Sequence, residues 1–520
     1  MPLQVNVIDI FAGPGGLGEG FTNFSPDAKH HPFRIRVSAE MESSAHRTLT
    51  LRSFYRKTVA LDGRAPKEYY QFLEKVSHGD AQSAGDFFSN STYASLWHEA
   101  TLEARQLVLG TEDGDKELAR MVSQIHSSGD ALVLIGGPPC QAYSLVGRAR
   151  NARNSSFHTK GDDRHYLYRS YLGLLAEYKP DIFILENVKG ILSSTVAGKG
   201  MFGQIVSDLS NPTAAMGSTG KRSMESEYVL LPLLAGDMGA EDPRSFVVKA
   251  ETLGIPQARH RVIIMGVRRA VFGSISQSPV LAKNEEPVHL LDVLKDLPAL
   301  RSGLSSGGDT GSAWLSEVRY QRRRLMGMLG RDAMDLKHRL RHLDFDRSLA
   351  RSSSSYTDEH LSPKHAHYFR DPRLRHVLNH ETRSHMNDDL GRYLFTSLYS
   401  AERGRSPVSR EFPLELYPDH KSWSLGQFAD RFRAQSPTHP ASTITSHLSK
   451  DGHAFIHWDP EQCRSLTVRE AARAQTFPDN YLFLGGRTQQ YVQVGNAVPP
   501  LLAQRIAGVV WSLLENRRKH

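Results

Sequence analysis

The sharpest chemical signal is a single thiol. Cys140 lies in GGPPCQAYS (136–144), behind two prolines and just past the apolar run ALVLIGG (131–137). Prolines at that point stiffen the entry and fix the local dihedrals. A lone cysteine is most often a small core hydrophobe. This one lies beyond the buried run, where a reactive thiolate would need to be. The stretch that follows, YSLVGRARNARNSSFHTKGDDRHYL (143–167), is polar and basic, a composition suited to closing over an anionic substrate.

Three further motifs accompany it. LENVKGIL (185–192) ends an apolar run on Glu186, and a carboxylate there is costly to bury without a ligand, a cationic partner or a proton. GIPQARHRVIIMG (254–266) alternates Arg259 and Arg261 on entry to a strand, which puts both on one face, as strand-edge charges or as partners for a carboxylate. In DIFAGPGGLGEGF (9–21), Gly13, Gly15 and Gly18 satisfy GxGxxG directly after an apolar run, allowing a tight turn and close approach to a ligand. Glu40 follows Gly18 by 22 residues, where an acid can bind ribose hydroxyls. Both a dinucleotide and S-adenosylmethionine fit that pair of features.

The elements that must position these residues are short, buried runs: VNVIDIF (5–11), RIRVSAE (34–40), ALVLIGG (131–137), DIFILENV (181–188) and RVIIMGV (261–267). They suit parallel strands covered on both faces. Helical patterns such as YLYRSYLGLLAEYK (166–179) lie between them. The expectation is an α/β fold with a doubly wound, mostly parallel sheet, whose ligands bind beyond the carboxyl ends of the strands. The glycines, Glu40, Cys140 and Glu186 all fall at those ends. Residues 52–128 are long for one connection and predict extra helices. From 271 to 435 strand runs thin out, Ser, Arg and His become frequent, and a second, less regular domain is expected. From 436 to 520 the patterning returns and ends in the apolar helix PPLLAQRIAGVVWSLLE (499–515).

Taken together and in order, these motifs resemble the DNA (cytosine-5) methyltransferase family of bacterial restriction–modification type. FAGPGGLG resembles its cofactor loop, PPCQ its nucleophile motif, ENV its glutamate motif and QARHR its paired-arginine motif. RSLTVREAARAQTFPD (464–479) resembles its late helix and QVGNAVPP (493–500) its closing motif. The resemblance covers 1–270 and 436–520, which it implies form one catalytic domain of the S-adenosylmethionine-dependent methyltransferase fold. Residues 271–435 then correspond to a smaller target recognition domain. It implies Cys140 as nucleophile on carbon 6 of a flipped-out cytosine, Glu186 at the ring, and Arg261 with Arg259 holding base and carboxylate. It implies S-adenosylmethionine as cofactor, S-adenosylhomocysteine as product and no metal. Cofactor contacts would come from Phe11, Ala12, Gly13, Gly15, Gly16, Leu17, Glu40, Met41, Pro138, Asn496, Ala497 and Val498. DNA contacts would come from Gln141, Ser144 and Arg148. The family's acidic adenine contact has no assignment, LGTEDGD (109–115) being nearest.

Bulk properties agree without deciding. Of 520 residues, 39% are hydrophobic and 23% charged, as in a soluble globular chain. Lys and Arg number 64 against 56 Asp and Glu, and eight of the cations fall within 319–341, a charge that permits a polyanionic partner. Two cysteines without a CxxC exclude a disulfide scaffold and the usual cysteine zinc site, and Cys463 reads as a bystander. His453 and His457 lack an HExxH context and read as non-metal residues. No apolar run approaches the roughly 20 residues of a membrane span, and no signal peptide is read. The expected setting is a monomer in the bacterial cytoplasm acting on double-stranded DNA, with no membrane partner and a cognate restriction endonuclease acting separately. Rival readings are a transfer-RNA methyltransferase, a silent DNA-binding homologue, and a nicotinamide-dependent oxidoreductase. The last leaves Cys140, Glu186 and GNAVPP unexplained.

Overall fold

The computed structural model describes residues 3–77, 79, 83–126, 130–138, 164–193, 195–196, 199–217, 226–234, 242–273, 279–283, 286–345, 348–419, 423 and 430–519. Its centre is an eight-stranded sheet. The strands, in chain order, are β1 (Val5–Ile10), β2 (Phe33–Glu40), β3 (Ala104–Gln106), β4 (Ala131–Gly136), β5 (Ile182–Val188), β6 (Tyr228–Leu231), β7 (Val247–Lys249) and β8 (His260–Arg268). Their spatial order is β3-β2-β1-β4-β5-β8-β6, with β7 also pairing β8. All six residues of β1 are buried, since β2 and β4 flank it in parallel and helices cover both faces. The chain winds outward from β1 through β2 to β3, then returns to β4 on the other side. That reversal opens a crevice beyond the carboxyl ends of β1 and β4.

Every strand expected from the sequence is present, but β8 runs antiparallel to β5, with Arg261 opposite Val188 and Ile263 opposite Glu186. A strand buried on both faces carries no mark of its direction, so RVIIMGV reads alike either way. Its direction has a consequence: the start of β8 meets the end of β5, so Arg261 arrives beside Glu186.

The helices used below are α1 (Gly16–Asn23), α2 (Ser43–Asp62), α3 (Gly311–Met328), α4 (Met334–Arg341), α5 (Asn387–Arg403), α6 (Val468–Ala474), α7 (Arg487–Asn496) and α8 (Pro500–Lys519). The 52–128 segment holds the extra helices expected of it, including Lys67–Ser77, Ala94–Glu103 and Glu112–His126. On one face of the sheet Val5, Val7, Val133 and Ile263 pack beneath α1 and α8 through Phe21, Leu502, Ile506 and Val510. A Cβ on Gly20 would stand 2.3 Å from Pro500 O, so glycine sets how closely α1 and α8 approach. The stretch Arg487–Glu515 is long and apolar enough to cross a membrane by length and composition, contrary to the expectation from its sequence. Yet 67% of its most apolar window is buried in this core, which accounts for its composition.

A separate core joins α3, α4 and α5 through Trp314, Leu325, Leu340, Leu390 and Leu394, with Phe412 and Phe432. The middle of the chain is not wholly given to it. Leu290, Leu297, Leu361, Phe369 and Val377 pack instead with Ala471, Phe477, Tyr481 and Val494 of the returning segment. Leu374 and Leu378 reach further, to Phe54 and Tyr69 among the extra helices.

Candidate active site

The glycine loop leaves β1 with Phe11 at φ 55°, Gly13 at 59° and Gly15 at 99°, all left-handed. Glycine carries such angles without a Cβ clash. Glu40, at the end of the neighbouring β2, receives the Gly13 amide on Oε2 and the Glu42 amide on Oε1, each at 2.8 Å. Burial pushes the Glu40 carboxyl up despite these donors. Each carboxylate oxygen has a second lone pair, so both amides leave room for a pair of ligand hydroxyls. Met41 beside it is 59% exposed, an apolar side chain on the rim without a partner surface. Ala12 and Leu17 are buried, and a Cβ on Gly16 would meet Val498 O at 2.2 Å, so the closing motif lies directly on the loop. Tyr481 adds a hydrogen bond from its hydroxyl to Pro14 O. Ala497 and Val498 are buried there and Asn496 is exposed.

The second half of the rim is built by β4, β5 and β8. Glu186 Oε1 lies 2.9 Å from Arg261 Nε, with the two side chains 13% and 12% exposed. Arg261 Nη1 donates to His260 O at 2.9 Å, which fixes the guanidinium's plane. The other carboxylate oxygen, Oε2, lies 3.0 Å from where a Gly137 Cβ would be, so any larger residue at 137 would crowd it. Asn187 donates from Nδ2 to Pro138 O at 3.2 Å and receives the Val188 amide on Oδ1. ENV thereby grips the strand end that leads to the thiol. Cys140, Gln141, Ser144 and Arg148 lie outside the described residues.

Arg259 is placed apart from Arg261. It is 2% exposed and donates to Ile444 O at 2.8 Å and Gly495 O at 3.3 Å. Burial, with the neighbouring Arg261 charge, pulls its pKa well down. Arg259 thus joins the arginine motif to the returning segment rather than sharing the Glu186 carboxylate. Gln257 does likewise, donating to Ala474 O and Gln475 Oε1 while accepting the Ile444 amide at 2.8 Å.

The late helix α6 is held by saturated ion pairs. Arg464 binds both oxygens of Glu470 at 2.7 Å, and Arg473 binds both Asp296 and Asp479. Arg469 donates to Leu378 O, Pro478 O and Tyr481 O. Cys463 is 1% exposed, and burial pushes its thiol pKa far up. His453 meets the Tyr393 hydroxyl at 2.9 Å, and His457 Nδ1 accepts the Asp459 amide. No group of three or more His, Cys, Asp or Glu side chains is arranged for a metal among the described residues.

In LGTEDGD, Asp115 caps Gly110 through Oδ1 and receives the Ser170 hydroxyl on Oδ2, while Glu112 pairs with Lys116 on an exposed turn. The residue that stands beside Glu40 in the ladder is Gln106, whose Nε2 donates to Met41 O at 3.2 Å. Sequence reasoning missed it because β3 is only three residues long. It also missed Asp9, fully buried under the loop, although an acid inside the apolar VNVIDIF carried the same signal as Glu186.

Comparison with known proteins identifies the family. The sequence profile of the C-5 cytosine-specific DNA methylase family matches residues 97–211 and 244–511. The type II methyltransferase M.Bpa9945I of Bacillus paralicheniformis is 31% identical, over 97% of this chain and 98% of its own. M.AgeI of Thalassovita gelatinovora, also a type II methyltransferase, is 25% identical over 97% and 99%. A crystal structure from E. coli, described as a DNA modification methyltransferase encoded within a prophage, shares the fold. Its TM-score is 0.50 at 16% identity, covering 98% of this chain and all of the other. The chain belongs to the C-5 cytosine-specific DNA methylase family, in its bacterial restriction–modification form.

Proposed function

We propose that the chain transfers a methyl group from S-adenosylmethionine to carbon 5 of a cytosine flipped out of duplex DNA, through a covalent bond from Cys140 to carbon 6. The observation that carries the reading is the Glu186–Arg261 pair, 2.9 Å apart, at the strand end gripped by Asn187 and Pro138 two residues before Cys140.

Carbon 5 of cytosine is a poor nucleophile until a thiolate adds at carbon 6 and makes it enamine-like. Glu186 then serves ring nitrogen 3 and the exocyclic amine, where the adduct needs a hydrogen-bonding partner, and Arg261 holds that carboxyl group in plane. Once carbon 5 has taken the methyl group, its proton passes to a solvent base and β-elimination frees Cys140. Flipping costs a few kcal/mol of stacking and pairing. Gln141, Ser144 and Arg148 would meet DNA from the segment after the thiol.

The rim suits the cofactor. The turn of Phe11, Ala12, Gly13, Gly15, Gly16 and Leu17 leaves space over Gly13, Glu40 keeps lone pairs for ribose hydroxyls, and exposed Met41 offers an apolar face for a purine. Pro138 and Asn496–Val498 would line the same site, and Gln106, beside Glu40 in the ladder, is our candidate for the adenine edge, where the sequence leaves the acidic contact unassigned. S-adenosylmethionine, when bound, supplies an electrophilic methyl group and leaves as S-adenosylhomocysteine. Among the chain's segments, the α3–α5 core within 271–435 serves target recognition. Residues 1–270 and 436–520 carry catalysis, and α6 and its buried arginines hold the two together. A monomer acting in the bacterial cytoplasm, with any cognate endonuclease separate, completes the reading.

The test is methyl transfer from labelled cofactor to unmethylated duplex, mapped to single bases, with Cys140→Ser alongside. Label on carbon 5 at one short sequence, reduced by a factor on the order of 10⁴ or more in the variant, is expected. Transfer to RNA alone, or none, rejects it.

A further inference from the structure

The glycine loop has little with which to hold its own shape. Gly13 and Gly15 bring no side chain, and glycine has the most conformational freedom to lose on ordering. The shape is imposed from outside, on one side by Glu40 through the Gly13 amide. On the other side the Tyr481 hydroxyl donates to Pro14 O, and a Cβ on Gly15 would stand 3.1 Å from that hydroxyl. Just past the loop, Glu19 on α1 is fully buried and takes Arg52 of α2 on both oxygens, at 2.5 and 2.9 Å. The Arg52 guanidinium also lies over the rings of Tyr55 and Tyr481, 3.9 and 4.8 Å from their centroids.

Both supports meet at Asn480, the chain neighbour of Tyr481. Its Oδ1 accepts from Arg52 Nη1 at 2.9 Å, and its backbone oxygen accepts from the Tyr69 hydroxyl at 3.1 Å. Its Nδ2 donates to the Tyr55 hydroxyl at 3.1 Å and to Asp371 Oδ2 at 2.8 Å. Asp371 comes from the middle of the chain, and the same oxygen takes the Tyr70 hydroxyl at 2.6 Å. Its segment is docked on the extra helices, by Arg373 on Ala65 O and by Leu374 and Leu378 against Phe54 and Tyr69. The two ends of an amide are alike in shape but opposite in chemistry. A carboxylate only accepts and a guanidinium only donates, so Asp371 and Arg52 together fix which way Asn480 points.

We propose that Asn480, oriented by Asp371, is a positioning residue for S-adenosylmethionine: it holds the glycine loop through Tyr481 on Pro14 and through Arg52 on Glu19. Part of the cofactor site is thereby set by a carboxylate from the stretch between the two catalytic segments. This rests on the reading that S-adenosylmethionine occupies the crevice at the loop.

The experiment is calorimetric titration of the full chain with S-adenosylmethionine at pH 8, with kcat measured at saturating cofactor on a duplex the wild type methylates. Asn480→Asp keeps the shape but sets two carboxylates against each other. It should weaken binding about tenfold and leave kcat within about twofold. Adding Asp371→Asn reverses donor and acceptor between the two positions and should return affinity to within about twofold of wild type. Tyr70→Phe removes the other bond on the same Asp371 oxygen and should leave affinity unchanged, which separates positioning from general support of the seam. If Asn480→Asp does not fold, Asp371→Ala, at a half-buried position, should weaken binding about threefold while the swapped pair does not. Wild-type affinity in Asn480→Asp or, where that variant does not fold, in Asp371→Ala overturns the proposal. So does a swapped pair that binds no better than the single variant, or a Tyr70→Phe loss as large as theirs. Each of these leaves the cofactor reading intact. A wild-type chain that does not bind S-adenosylmethionine overturns both.

Discussion

Two sets of buried or half-buried ion pairs use the same residue types to opposite ends. At the rim, Glu186 and Arg261 share one contact of 2.9 Å, and both side chains stay partly exposed. At the seam around α6, hydrogen-bonding capacity is filled. Asp479 receives Arg473 through both oxygens and the Tyr356 hydroxyl at 2.9 Å, and Arg464 spends its donors on Glu470, Gln462 and two carbonyls. A saturated pair can only hold structure. An incompletely used pair next to a crevice has something left for a ligand, and that difference, not charge or conservation of type, separates the two roles.

The same chemical change in both places breaks the comparison most directly. Glu186→Gln keeps the shape but loses the charge that orders Arg261. It should lower methyl transfer by about 10²–10³ with little effect on stability. Asp479→Asn leaves Arg473 short of a partner among fully buried groups. Stripping one member of such a pair costs about 3–5 kcal/mol. Urea denaturation should find that loss, while folded enzyme retains turnover near wild type. Equal stability losses in the two variants would erase the distinction.

How far the sequence shows this follows from the same physics. Strands buried on both faces are legible as apolar runs, and acids or glycines at their ends are legible as exceptions, so β1, β4, β5 and the rim residues Glu40 and Glu186 stand out, while β2 is covered on both faces only in its second half, Arg34 and Arg36 being exposed. The direction of β8 is invisible, because burial on both faces erases alternation. Arg259 and Arg261 look alike in QARHR, and only the approach of Ile444 and Gly495, roughly 190 residues and more along the chain, separates them. The extent of the recognition region is blurred for a related reason. Leu290–Leu294 and Phe369 serve a core whose other half lies at 441–497, and no local pattern announces a partner so distant.

The seam should also be the acid-sensitive part of the fold. His380 is fully buried between the Thr467 hydroxyl and Pro298 O, and burial pulls its pKa down to about 4. His457, buried near Arg464, is pulled to about 3. In the unfolded chain both protonate near pH 6.5. Unfolding therefore takes up protons below that pH, and stability should fall as pH drops from about 6.5 to 4, by on the order of 2–3 kcal/mol for each histidine. Below about 4.5, Glu470 adds to the loss, because Arg464 outweighs burial and holds its carboxyl low. Denaturation at pH 6.5 and pH 4.5 measures the slope, and His380→Asn should flatten it. A slope unchanged by that substitution would move the acid sensitivity away from the seam.

The loop beneath the closing motif sharpens the comparison from the side of shape. Gly16→Ala puts a methyl group 2.2 Å from Val498 O, a backbone atom that cannot swing aside. Overpacking of this kind costs about 1–3 kcal/mol. Part should appear as a lower melting temperature and part as weaker S-adenosylmethionine binding, since the atom displaced borders the crevice. Gly13→Ala has open space around its Cβ but a φ of 59°, so strain rather than collision sets its smaller loss.

The exposed cations of 319–341 form a third case, neither saturated nor poised in a crevice. Arg324 pairs with Asp388 and Arg339 with Glu402, but both pairs are partly open to solvent. Such pairs are worth about 0–1 kcal/mol, so Arg339→Ala should leave stability within roughly 0.5 kcal/mol of wild type. Among the described residues Arg323 and Lys337 carry no ion pair, and removing them should cost the fold even less. If the α3–α4 surface meets DNA phosphates, their loss shows elsewhere. The slope of log affinity against log salt should fall by about one for each contact removed, equally for specific and nonspecific duplex. An unchanged slope would assign this charge to solubility and send the search for phosphate contacts to the segment after Cys140, where Arg148 lies.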